Sequence, residues 1–200
     1  RNPDVLVAAS YQRRRHVWTL VNGGPGSGIH RSTDAGKSWK KLSAGLPSVD
    51  LGRISLAIAP SKPDVLYATV EASDGKGGVF RSADGGLTWD RRNPFDSGAM
   101  YFSVVVVDPK NHDRIYLMHV YPQVSDDGGT TLKRLPIKYV HVDSHCLWID
   151  PENTDHYRLG CDGGIYESYD RASNWRHIAN LPVTQFYDIT VDEAAPFYHI

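Results

Sequence analysis

Short runs of alternating apolar and polar residues, each closed by a proline, recur along the chain. ISLAIAP (54–60), FSVVVVDP (102–109) and CLWIDP (146–151) are three of them. Successive side chains point to opposite faces of a strand, so this period of two predicts β-strands. A second strand follows each time: DVLYATV (64–70), RIYLMHV (114–120) and HYRLGC (156–161). A short strand then leads into a polar turn and another leads out, as GVFRS and WDRR do in the second unit. Four strands per unit, here a to d, is the content of a propeller blade. The pattern predicts an all-β fold, a β-propeller of four-stranded antiparallel blades.

The polar turn is itself a repeat. It reads RSTDAGKSW (31–39), RSADGGLTW (81–89), VSDDGGTTL (124–132) and ESYDRASNW (167–175). The shared positions are Ser32, Asp34, Gly36 and Trp39; Ser82, Asp84, Gly86 and Trp89; Ser125, Asp127 and Gly129; and Ser168, Asp170 and Trp175. The third copy has Leu132 for Trp, and the fourth has Ala172 for Gly and Asn174 for Ser/Thr. The aspartates are 50, 43 and 43 residues apart, the period of propeller blades. The implied division is a blade lacking strand a (1–45), three further blades (52–93, 100–136 and 145–180) and the first strand of another, FYDITVD, within 185–200. This is expected to be about four blades of a larger ring, whose remaining blades are its first partners. Closure removes exposed sheet edges.

The turn phrase resembles the Asp box, or BNR repeat, of sialidases and related propellers. The residue types suit a structural staple: a carboxylate accepts bonds from turn groups, glycine takes a positive φ, and an indole covers the turn. Similar copies around a ring cannot share one active site, so the Asp-box aspartates are expected to be structural. The whole chain also resembles large bacterial BNR-repeat proteins known as glycosyl hydrolases or sortilin-N-terminal-domain proteins. YQRRRHVWTLVNGGPGSGIHRSTDAGKSW (11–39), HVDSHCLWIDP (141–151), GCDGGIYESYDR (160–171) and NLPVTQFYDITVD (180–192) carry that resemblance. It implies a longer, exported protein, secreted, periplasmic or at the cell surface. It also implies a hydrolase activity that fold alone does not establish. Xyloglucanases with two propeller domains are more distantly similar; they invert, using paired aspartates. CDGGIY (161–166) is the nearest match to their T-D-x-G-G phrase and points to Asp162.

Composition narrows the partners. With 22 basic and 23 acidic residues the net charge is −1, which does not point to nucleic acid or a polybasic membrane contact. No apolar run approaches the ~18 residues of a membrane span. The chain opens on Arg1 with no signal peptide in view, which reads as a cut. Its two cysteines, Cys146 and Cys161, are not in a C-x-x-C pair. They are expected to face one another across an a–b hairpin, as a disulfide or as two buried thiols.

In a propeller the b–c loops and d-to-a crossings share the usual ligand face. The longest b–c loop, residues 11–28, carries three successive arginines. In a strand Arg13 and Arg15 can share an anionic target while Arg14 points away. Trp18, with Tyr101, Tyr121 and Tyr139, can stack on sugar rings. In the crossing HVDSH, alternation puts His141, Asp143 and His145 on one side. That arrangement can ligate a divalent metal or supply an acid/base pair. Ligands from one short strand rarely complete a metal site, so no cofactor is expected. Asp162 lies on the next b–c loop, a plausible neighbour of Asp143, and such a pair suits an inverting glycosidase. Glu71 and Asp74 add carboxylates on the second b–c loop.

Two functions follow. One is a ligand-binding propeller of a glycosyl hydrolase that binds or cleaves carbohydrate. The alternative is a non-catalytic sortilin-like peptide binder or a structural scaffold.

Overall fold

A computed structural model describes residues 2–95, 98 and 101–180. The expected strand of a further blade, within 185–200, lies outside the described residues. The first sheet holds β1 (Leu6–Ser10), β4 (Gly28–Ser32) and β5 (Lys40–Lys41), in that order. Between β1 and β4 a separate hairpin stands out, β2 (Arg13–His16) paired with β3 (Thr19–Asn22). The second sheet is β6 (Leu51–Ile58), β7 (Leu66–Ala72), β8 (Gly78–Ser82) and β9 (Asp90–Asn93). The third is β10 (Val105–Val107), β11 (Ile115–Leu117), β12 (Gln123–Ser125) and β13 (Lys133–Arg134). The fourth is β14 (Ser144–Ile149), β15 (Tyr157–Cys161), β16 (Gly164–Ser168) and β17 (Arg176–His177). Each of these three four-stranded sheets is an antiparallel meander in chain order, the architecture of propeller blades.

The core lies between consecutive sheets. Ile29 of the first packs with Ile54, Leu66, Ala68 and Phe80 of the second. Tyr67 and Val79 of the second pack on Val105, Val107, Ile115 and Leu117 of the third. Tyr116 and Met118 of the third pack on Leu147, Ile149, Tyr157 and Leu159 of the fourth. Residues one apart on β11, Ile115 and Tyr116, therefore serve opposite interfaces. This is the expected outcome for an apolar strand buried on both faces.

The Asp-box turns form one end of each blade. In the second copy Asp84 Oδ1 accepts from Ser82 Oγ (2.7 Å) and Thr88 N (2.9 Å), and Oδ2 accepts from Thr88 Oγ1 (2.6 Å). Ser82 Oγ in turn accepts from Gly86 N at 2.9 Å. The same bonds recur around Asp34, Asp127 and, with Asn174 as donor, Asp170. Gly36, Gly86 and Gly129 have φ near +86 to +88°, and Ala172 takes the same place at +72°. The indoles of Trp39 and Trp89 donate to Gly36 O and Gly86 O, both at 3.0 Å. Trp175 departs from this pattern and donates to Pro136 O at 2.8 Å.

A further staple escaped the sequence reading. The backbone N–H one residue past each box aspartate donates to the carbonyl of Asp4, Asp64, Asp113 or Asp155, just ahead of strand b. These bonds tie the c–d turn to the a–b turn of the same blade and leave the b–c loops at the opposite end.

Candidate functional site

The loop end of the four sheets carries two polar clusters. Counting from the strand-b residue paired with each box serine, Tyr11, Glu71, Val120 and Asp162 hold equivalent positions, five residues further along. Repeat register alone therefore places Glu71 and Asp162 at the same level of their blades.

Over the third and fourth sheets, His145 Nε2 and Asp162 Oδ1 are 2.9 Å apart, with side chains 41% and 57% exposed. The pair is fixed yet open to a ligand. Phe102 stacks on the His145 ring, centroids 5.3 Å apart and planes 10° from parallel. Phe102 and Phe95 both also contact the His119 ring. His141 packs on Gly163, where a β-carbon would stand 2.4 Å from its own Cβ. Its Nδ1 lies 2.8 Å from the Val142 carbonyl. Asp143 N donates to Val120 O (3.0 Å) and Ser144 N to His119 O (3.1 Å), which pins the crossing to the third blade.

Two expectations need correction here. His141, Asp143 and His145 do not alternate along one extended segment. Asp143 has φ +65°, and the register slips between Ser144 and Cys146, so the chain bends where a regular strand was expected. Among the described residues, no group of three His, Cys, Asp or Glu side chains has metal-holding geometry. The same bulge moves the cysteines out of register: Cys146 pairs with Gly160 and Cys161 with Ser144. Both thiols are free. Burial first, then the nearby Asp162, Cys146 and Asp143 charges, pushes the Cys161 thiol up; its bond to the Gly163 backbone opposes this.

Over the first and second sheets the b–c loop is an ordered hairpin. Arg13 pairs with Asn22, Arg15 with Leu20, Arg14 with Val21 and His16 with Thr19. Cross-strand partners share a face, so Arg13 and Arg15 lie together and Arg14 lies opposite. The hairpin is tied down at its base. Tyr11 Oη donates to Asn22 Oδ1, and Asn22 Nδ2 donates to Glu71 Oε1 at 2.7 Å. Glu71 Oε2 accepts from Arg53 N at 2.9 Å, across a β6 bulge where Gly52 leaves room. Burial, then the Glu71 charge, raises the Tyr11 phenol. Glu71 is thus a strut; Asp74 sits apart in a single 3-10 turn at φ +58°.

The aromatic candidates scatter. Trp18 is 82% exposed and stacks on His16 at the hairpin tip. Tyr121 lies under the Arg134 guanidinium at 3.6 Å, while Tyr101 and Tyr139 are exposed elsewhere. Phe95, Phe102 and His119 were missed. The register of strand b was the available signal, since it puts His119 at the level of Cys161.

On the outer face of the fourth sheet, buried Glu167 accepts from His156 Nε2 (2.9 Å), Arg176 Nη2 (2.5 Å) and Arg158 Nε (3.1 Å). These bonds, His156 first, hold its carboxyl down to about 2.

No protein-family model matches the chain. It is 34% identical over 121 residues to a xyloglucanase of Paenibacillus sp, covering 55% of this chain and 11% of that protein. It is 31% identical over 143 residues to a xyloglucanase of Acetivibrio thermocellus, covering 68% of this chain and 15% of that protein. Among solved structures, the GH74 xyloglucanase from Xanthomonas campestris superposes with a TM-score of 0.63 at 18% identity, over 94% of this chain and 30% of that one. At that identity the likeness concerns the fold, a β-propeller. The chain thus spans only a small part of the curated relatives it matches.

Proposed function

We propose, from the premise that the chain is an Asp-box propeller segment homologous to GH74 xyloglucanases, that it forms part of a carbohydrate-binding face of a glycoside hydrolase. The observation that carries this reading is Asp162. It sits at the loop end of a blade, half exposed, oriented by His145, with Phe102 backing that imidazole. A carboxylate so held accepts hydrogen bonds from sugar hydroxyls, or from a water it activates, without first losing rotamer freedom. Asp143, on the adjoining crossing, is the candidate second carboxyl of an inverting pair. Such pairs stand roughly 6.5–9.5 Å apart with water between them. A polymeric glycan implies a protein that works outside the cytoplasm.

The test uses the full-length protein with Asp162→Asn and Asp143→Asn variants. Binding to xyloglucan, other β-glucans and uronate-bearing glycans is measured, together with release of reducing ends. The reading expects glycan binding in the parent and a loss of at least about 100-fold in turnover, or a clear loss of affinity, in Asp162→Asn. It fails if the parent neither binds nor cleaves any glycan tested, or if both variants match the parent.

A further inference from the structure

We propose that the β2–β3 hairpin selects an acidic glycan, with Arg13 and Arg15 clamping a uronate carboxylate above the second blade. This rests on the carbohydrate reading and narrows it from glycans in general to those bearing carboxyl groups.

The hairpin is built to present charge. All four residues of β2 are exposed, Val17 at the tip is 100% exposed, and Trp18 is 82% exposed. Among the described residues, none of the three arginines has a carboxylate within salt-bridge distance. A net charge of −1 for the chain makes this run a local feature rather than part of a basic surface. Holding like charges together in water is unfavourable unless a partner offsets it, and guanidinium forks match carboxylates in geometry.

Register assigns the faces. Arg13 and Arg15 share a side with Leu20 and Asn22. That side looks onto the second blade, because Asn22 reaches Glu71 at the end of β7. Glu71 does not compete for the arginines: its oxygens accept from Asn22 and from the Arg53 backbone. The clamp is also preorganised. Gly24 bridges to Leu51, Gly23 N donates to Gln12 O, and Gln12 Oε1 accepts from Gly26 N. A ligand therefore meets an ordered hairpin and loses less to loop ordering. Arg14 lies on the opposite side with Val21 and the His16–Trp18 stack, which supplies an internal control.

The experiment is isothermal titration of the full-length protein with oligogalacturonate and with glucuronoxylan oligosaccharides. Each is paired with its carboxyl-reduced neutral form, and polyglutamate serves as an acidic ligand that is not a glycan. The expected result is affinity at least about tenfold higher for the acidic member of a pair, falling as salt rises from about 50 to about 500 mM. The double variant R13A/R15A is expected to erase that preference, and Arg14→Ala to keep it. Circular dichroism melts confirm folding of both variants, whose changes are at exposed positions. Equal binding of acidic and neutral forms overturns the clamp and leaves the carbohydrate reading standing. A preference lost equally in Arg14→Ala, or polyglutamate bound with the same arginine dependence, also overturns it. Binding of no glycan at all removes both proposals.

Discussion

A β-carbon on Gly129 would stand 2.9 Å from Val79 Cγ1. The third Asp-box turn is thus pressed against a fully buried valine of the preceding blade. The glycine there answers two demands, a φ of +86° and close approach of backbone to a neighbour. Gly86, in the second box, answers only the first: its nearest neighbour would be Val7 Cγ2 at 3.5 Å, an ordinary contact. Gly86→Ala is expected to cost about 1–2 kcal/mol, the usual penalty for a β-carbon in the left-handed region. Gly129→Ala is expected to cost a further ~1–3 kcal/mol for overpacking. Urea melts of the two variants check this. A Gly129 variant no worse than the Gly86 one would contradict the spacing of the second and third blades.

The Asp boxes also predict an acid limit. Bonds from Ser38 to Asp34 and from Thr88 to Asp84, and to Asp127 chiefly from the Thr131 backbone, hold these carboxyls down to about 2 against an ordinary 3.8. A depressed native value gives stability that is present above pH 3.8 and lost as pH falls towards 2. The melting temperature should therefore fall steeply across that window. Asp84→Asn should lower it at neutral pH and make its acid dependence shallower. The side chains face water, so each contribution is small and the effect accumulates over the boxes. A melting temperature as steep in Asp84→Asn as in the parent would separate acid unfolding from this turn.

The blades were legible in the sequence because their signals are periodic and local. Alternation marks the strands, and the Ser–Asp–Gly spacing marks the turn that joins c to d. The ligand face was less legible because it depends on departures from the period. One extra residue between Ser144 and Cys146 bends the crossing and breaks the expected alignment of His141, Asp143 and His145. Nothing in HVDSH announces that bulge. The same device at β6 is half visible, since Gly52 sits where a side chain would strike Glu71. The stack of Phe102 on His145 joins residues of two blades, which no local pattern encodes.

Ser144 offers a test of that bulge. Its hydroxyl is fully buried and finds no partner among the described residues. A buried hydroxyl without a hydrogen bond costs about 1–3 kcal/mol. Ser144→Ala should therefore leave stability unchanged or raise it by about 1 kcal/mol, read from the midpoint of a denaturant melt. A loss of more than about 1 kcal/mol would mean that the hydroxyl is satisfied, by water or by a rearranged crossing.

The anchoring of the arginine hairpin can be examined without any ligand. Trypsin cuts after arginine, but only when the chain opens into the protease. Arg13, Arg14 and Arg15 are exposed as side chains while their backbone is paired with β3. Cleavage there reports opening of the hairpin rather than exposure. Two bonds through Asn22 join its base to Tyr11 and Glu71. Glu71→Ala removes one of them, together with the carboxylate that receives Arg53 N. Loss of about 1.5–3 kcal/mol of local stability, the scale of a hydrogen bond to a charged group, corresponds to a rise in cleavage of roughly 10- to 150-fold when opening is fast relative to cutting. The global melting midpoint should move far less, because the hairpin lies outside the inter-blade cores. Cleavage mapped by mass spectrometry should therefore accelerate at residues 13–15 in Glu71→Ala and stay at the parent rate in Asp74→Ala, whose carboxylate sits apart on the 3-10 turn. Equal rates in all three proteins would show that the Glu71 strut does not hold the hairpin, and would remove the preorganisation on which the carboxylate clamp relies.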